Sequence, residues 1–280
     1  METIGIFLSE LITYFFFAGT AYLLFYVILK KAISHRIIQK KFENNDRILE
    51  EIKFSLSTIV IFTFGFLFAY HLQEQGYTRN YELDYNNITL GQVGFLVLNT
   101  ALMVFIHDTY FYWGHRLMHH PKIYRYVHQV HHRSTNPSPW AALYFHPLEA
   151  IIEFGIIFVL IFTIPYHEIS IVLFYLYQLL INVGGHLSFE VFDKKILKGN
   201  AWFMKFSNTV THHNMHHKYF NYNYGLYFNI WDTLMGTVHP KYYETFTEVV
   251  SRPSEKEIAE MKEKEDSNSN HLNDKNHLVA

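Results

Sequence analysis

Residues 108–132 read DTYFYWGHRLMHHPKIYRYVHQVHH. The stretch starts at the end of an apolar run, about Val93 to Trp113, and passes at once into a segment dense in His, Arg and Lys. A run of that length covers a hydrocarbon core of about 30 Å at ~1.5 Å per helical residue, so the histidines begin where a membrane span ends. Within the stretch His115 and His119 stand four apart, and His128, His131 and His132 stand at i, i+3 and i+4. A third cluster, His213, His216 and His217, repeats the second spacing. On a helix these positions share a face, so each cluster aims two or three imidazoles at one place. Eight nitrogen donors suffice for two metals, and imidazole-rich sites suit iron, zinc or copper.

Working outward, the chain holds further apolar runs at about Ile6 to Leu29, Phe54 to Leu72, Leu148 to Ile164 and Ile169 to Val183. The first opens Met1-Glu2 and ends Lys30-Lys31, which suits a retained helix better than a cleaved signal peptide. Those lysines, with Arg36, Lys40 and Lys41, put the following loop in the cytoplasm. The polar stretch from Glu74 to Gly91 then lies outside. The fourth and fifth runs, joined by Pro165-Tyr166-His167-Glu168, form a hairpin that enters and leaves on one side. Counting crossings places every histidine cluster on the cytoplasmic side. The expected fold is all-α: an integral membrane helical bundle of about four to five spans or re-entrant hairpins, with a cytoplasmic helical cap carrying the histidines. Three regions are expected: 1–91, N-terminal membrane helices and external loop; 92–240, the catalytic part; and 241–280, a polar tail, partly disordered, whose His271 and His277 are solvated.

Composition narrows the chemistry. Half of the residues are hydrophobic and only 17% are charged, as a membrane protein requires. A net charge of -2 without a concentrated basic face argues against a nucleic-acid partner. Zero Cys among 19 His excludes disulfides, zinc ribbons, cysteine-ligated iron–sulfur clusters and thiolate-bound haem. Against the metal reading stands the plainer one, in which interface histidines interleaved with Arg116, Lys122, Arg125 and Arg133 decorate a polar face. Three clusters at ligand spacing argue against that decoration. A structural zinc site takes four ligands, commonly with Cys, and eight His overshoot it.

The run Asp108 to His119, followed by His128-Gln129-Val130-His131-His132, resembles the opening motifs of the fatty acid hydroxylase and sterol desaturase superfamily. Phe145-His146-Pro147-Leu148-Glu149 is similar to its histidine–proline–leucine–glutamate element. His213-Asn214-Met215-His216-His217, with Asn223-Tyr224-Gly225 and Trp231 to Thr237, is similar to its closing motif. The resemblance implies two irons held by the eight clustered His and by a ninth, for which His186 is the matching position. Some hydroxylases of the superfamily have a further His near that point, where this chain has Glu190, as a ligand, an outer partner or neither. Asp108, His146, Glu149 and Asp232 are expected to orient ligands or substrate, since a metal-bound imidazole usually donates its other N–H to a carboxylate or carbonyl. His107 precedes the motif and is left out of the site; His120 and His212 fall outside the family spacing and are expected to be interface residues.

The resemblance further implies O2 as co-substrate, a lipid such as a fatty acyl chain or sterol as substrate, and hydroxylation or desaturation as outcome, hydroxylation being slightly preferred. With no fused haem domain in the sequence, electrons come from an external reductase or carrier. Zero Cys and an ending without a dilysine signal favour a bacterial inner membrane. The rival reading is a metal-ion transporter or metal-storing membrane protein; but transport sites lie near the bilayer midplane, and here the clusters lie beyond the spans. The sequence carries no sign of oligomeric state.

Overall fold

A computed structural model describes residues 2–40, 42–194 and 206–265. These form helices throughout; among the described residues β pairing is confined to isolated bridges such as Ile37 with Phe189. Four helices are long and apolar enough to cross a membrane, beginning with residues Thr3–Ile28. That segment consists of α1 (Glu2–Tyr22) continued by one π-helical stretch, Leu23–Ile28. The others are α2 (Asn45–Glu74), α3 (Leu90–Met118) and α6 (Glu168–Gly185). Between them lie α4 (Tyr124–Val127) and α5 (Pro147–Thr163). At 17 residues α5 extends about 25 Å, and with α6 it makes the expected hairpin around residues 164–167. The protein is thus an integral membrane helical bundle.

Local chemistry fixes the helix ends. Asn44 accepts from Arg47 N at 2.9 Å and caps α2, so this helix starts well before its apolar stretch at Phe54. Thr89 and Gln92 form a reciprocal capping box on α3. The bundle core joins Tyr14 and Ala18 of α1, Ile59 and Phe62 of α2, Met103 and Phe111 of α3, and Phe154 and Leu160 of α5. Residues 134–145, a loop with a short 3-10 turn, thread beneath α1 and α2. Tyr14 Oη and Ser55 Oγ both donate to Trp140 O, and buried Glu51 accepts from Ser134 Oγ at 2.5 Å and from Ser138 Oγ. These bonds satisfy a polar loop where it enters the bundle.

Among the described residues three short helices cap the end of the bundle where α3 and α6 finish: α7 (Val210–Tyr219), α8 (Ile230–Met235) and α9 (Tyr242–Ser251). Met215 of α7 packs on Tyr242 and Phe246 of α9. Residues 255–265 are helical, while His271 and His277 lie outside the described residues.

Candidate metal centre

The C-terminal ends of α3 and α6 and the N-terminal end of α5 meet the segment 119–134 and α7 at one place. The nine histidines singled out in the sequence gather there in two groups. One holds His115, His119, His128, His132 and His216; the other holds His131, His186, His213 and His217. Within each group the candidate ligand atoms lie within 4.8 Å of one another. The groups adjoin, with the His132 and His217 ring centroids 5.0 Å apart. Helix geometry explains the sorting on α3 and α7, while residues 128–133 form a turn that passes into a 3-10 stretch. The pairs His115/His119, His128/His132 and His213/His217, each four apart, stay together. His216, at i+3, is turned by about 100° from His217 on α7 and crosses to the other group, and His131 likewise parts from His132 in the 3-10 stretch.

Most of these rings are held from behind. The Nδ1–H of His115 donates to Tyr224 O at 2.9 Å, that of His131 to Tyr144 O at 3.2 Å, and that of His186 to Asn182 O at 2.6 Å. His216 donates to Tyr222 O at 2.7 Å and His217 to Ser134 O at 2.8 Å. His128 Nδ1 meets Glu149 Oε1 at 2.6 Å, both residues being buried. A carbonyl can only accept, so these bonds fix the proton on Nδ1 and leave a bare lone pair on Nε2.

Those lone pairs face one another. His213 Nε2 stands 3.1 Å from Nε2 of both His186 and His217, and it can donate to at most one of them. His115 Nε2 stands 3.0 Å from His128 Nε2, and His132 Nε2 stands 3.0 Å from His216 and 3.1 Å from His119. Clustered lone pairs repel unless a cation lies between them. Two donors at right angles on a metal with bonds of about 2.1 Å stand about 3.0 Å apart, so the spacing fits metal coordination. Burial first, then neighbouring imidazoles, holds His128, His132, His213 and His216 well below the usual histidine range, so the rings are neutral and able to bind.

The acidic residues fall into place differently from one another. Only Glu149 reaches a clustered histidine. Asp108 accepts from the N–H groups of Tyr227 and Phe228 at 2.9 and 3.1 Å. Asp232 accepts from Tyr224 N at 2.9 Å and Gly225 N at 2.7 Å. The two thus clamp the 222–228 loop, whose carbonyls in turn hold His115 and His216. Gly225 is required there, because a Cβ would lie 2.6 Å from Phe228 O. Glu190 belongs to neither histidine group: it accepts from Thr211 N at 2.9 Å and Thr211 Oγ1 at 2.6 Å, holding the first turn of α7. His146 caps α5 through Leu148 N and is half-buried, so it acts on the helix that carries Glu149.

Of the histidines left out, His120 is exposed, whereas His107 is buried with Nδ1 2.8 Å from Tyr227 Oη. His212, expected at the interface, is instead fully buried, 3.4 Å from Asp232. It follows Thr211 at the N-terminus of α7 and faces Tyr242, a tertiary contact that spacing does not reveal. The backbone carbonyls of Ser134, Tyr144, Asn182, Tyr222 and Tyr224 were not foreseen either, since no side chain marks them.

A membrane bundle with two adjoining all-imidazole pockets at one end defines a class of metal-dependent membrane proteins. A family model for fatty acid hydroxylase matches residues 100–237. A Delta(7)-sterol 5(6)-desaturase of Gibberella zeae is 31% identical over 228 residues, covering 79% of this chain and 66% of its own length. Another, of Aspergillus fumigatus, is 30% identical over 238 residues, covering 80% and 71%. Lathosterol oxidase of Rattus norvegicus is 28% identical over 242 residues, covering 85% and 74%. The chain belongs to the fatty acid hydroxylase and sterol desaturase superfamily and is an oxidoreductase. No solved structure matches it. These relatives are fungal and mammalian and lend no support to a bacterial membrane.

Proposed function

We propose that the protein is a membrane-bound di-iron oxidase that uses O2 and external electrons to desaturate or hydroxylate a lipid, with a sterol-type ring system as the favoured substrate. The observation that carries this is the convergence of nine neutral imidazoles into groups of five and four. The substrate class follows the names of the relatives, which are sterol desaturases and lathosterol oxidases.

In this reading the nine histidines are the ligands, and the iron pair supplies the oxidising power for an unactivated C–H bond. The chain supplies the rest. The five carbonyl partners and Glu149 fix ring orientation and tautomer, and Glu149 also raises the basicity of His128. A cavity of about 300 Å³ opens beside His213, walled by Tyr177, Asn182, Leu226 and Phe228. It would hold the apolar substrate close to the four-histidine group and keep water away from the reacting carbon. The loop lysines after the first span put the centre on the cytoplasmic side, within reach of a soluble reductase or electron carrier.

Purified protein should contain about two irons and convert lipid only with O2 and reductant, giving a product that differs by one oxygen or two hydrogens. His131→Ala or His216→Ala should abolish turnover while membrane insertion persists. Unchanged turnover in these variants, or metal transport without lipid oxidation, would overturn the proposal.

A further inference from the structure

Phe220 closes α7 in a backbone conformation that side chains avoid. Its φ is 63° and ψ −42°, and the N–H of Asn221 donates to Tyr219 O at 2.7 Å, making a γ-turn centred on Phe220. That turn is rare and strained for any residue with a Cβ, and glycine occupies it far more easily. The chain nevertheless places a bulky aromatic there.

What the ring touches suggests why. It packs on His132 with centroids 4.9 Å apart, and Tyr124 covers the same imidazole at 5.9 Å and neighbouring His119 at 5.4 Å. Phe220 and Tyr124 also meet each other, at 6.4 Å, and both are half-buried. His132 is the histidine that needs such support. Its buried Nδ1 has no hydrogen-bond partner among the described residues, whereas six of the other eight clustered rings bond through Nδ1 to a carbonyl or to Glu149. Strain kept at a functional site needs a compensating contact, and here the contact falls on a ring whose buried Nδ1 has no anchor.

We infer that Phe220 is a positioning residue for His132: its strained γ-turn presses an aromatic face against the imidazole and, with Tyr124, substitutes for the missing hydrogen bond. The inference rests on reading the clustered histidines as metal ligands. It gives the five-histidine group a buried ligand ring held by aromatic packing in place of an Nδ1 hydrogen bond.

The test uses the full chain loaded with cobalt(II), whose visible spectrum reports ligand geometry. Phe220→Gly relieves the strain, so its Tm should equal or exceed that of the unaltered protein. Its cobalt spectrum should nonetheless change, and part of the metal should pass to a chelator at least tenfold faster. Phe220→Tyr should restore both the spectrum and the slow release. Phe220→Leu, which keeps the turn and its apolar bulk but loses the ring face, should fall between them. An unchanged spectrum and release in both the Gly and Leu variants would overturn the inference. So would faster release only in proportion to a lowered Tm, which marks a purely structural ring. If the unaltered protein took up no cobalt, the metal reading itself would fall with it.

Discussion

The two histidine groups adjoin but are built differently. In the four-histidine group, His186 is anchored on its own helix through Asn182 O, His217 on Ser134 O and His131 on Tyr144 O, all backbone atoms of tightly packed segments. His213, the fourth, faces the apolar cavity. In the five-histidine group the anchors are a carboxylate, Glu149, and the carbonyls of the 222–224 loop, which two aspartates hold in place. That group's outer face is sealed by Tyr124 and Phe220. The contrast suggests a division of labour. The four-histidine group borders the apolar cavity, and the five-histidine group lies under Tyr124 and Phe220.

Acid should break the comparison most completely, because it removes both groups. Burial lowers His128, His131, His132, His213, His216 and His217 well below 6.5, and it lowers His186 to about 4. A lowered folded value means that the unfolded chain binds more protons below about pH 6.5, so stability present above that pH falls as pH drops toward the folded values. Metal binding needs the same neutral rings and should fall over the same window. Thermal melting and metal content measured from pH 8 down to 4 should decline together below about 6.5. A flat profile would mean that the rings are not buried as described.

Glu149→Gln sharpens the comparison, since the carboxylate serves only the five-histidine group. Outer partners of ligating histidines are typically worth 10–100-fold in metal affinity or activity. Metal titration should therefore show one weakened site and one unaltered site. Equal weakening of both would show that the groups act as a single unit.

The sequence displays the parts of this centre that depend on spacing and hides those that depend on tertiary contact. His115 with His119, and His213 with His217, are legible because a helix brings i and i+4 together whatever surrounds it. That His131 and His132, adjacent in the chain, serve different groups shows only once both pockets exist, because they lie in a turn and 3-10 stretch and not on a regular helix. The five apolar runs point to about four to five spans, and among the described helices four are long and apolar enough to cross. Asp108 and Asp232 stand out as acids near the site, yet their work on the 222–228 loop requires knowing that the loop folds back onto α3. Glu190, at a position matched in the family by a further His, turns out to hold Thr211 instead. Phe220 carries no mark in the sequence, because a positive φ at a non-glycine residue is invisible without coordinates.

Gly225→Ala should give the smallest and most local effect. The new methyl would meet Phe228 O at 2.6 Å and Asp232 Oδ2 at 2.9 Å. Phe228 O is backbone, so the 222–228 loop must shift rather than a flexible side chain. Overpacking of this kind typically costs about 1–3 kcal/mol. The loop carries Tyr222 O and Tyr224 O, the anchors of His216 and His115, but none of the carbonyls that hold His131, His186 or His217. The substitution should thus lower Tm modestly and loosen metal in the five-histidine group, leaving a cobalt signal from the four-histidine group unchanged. If both signals moved together, the loop would be supporting the whole centre and the separation of the two groups would be lost.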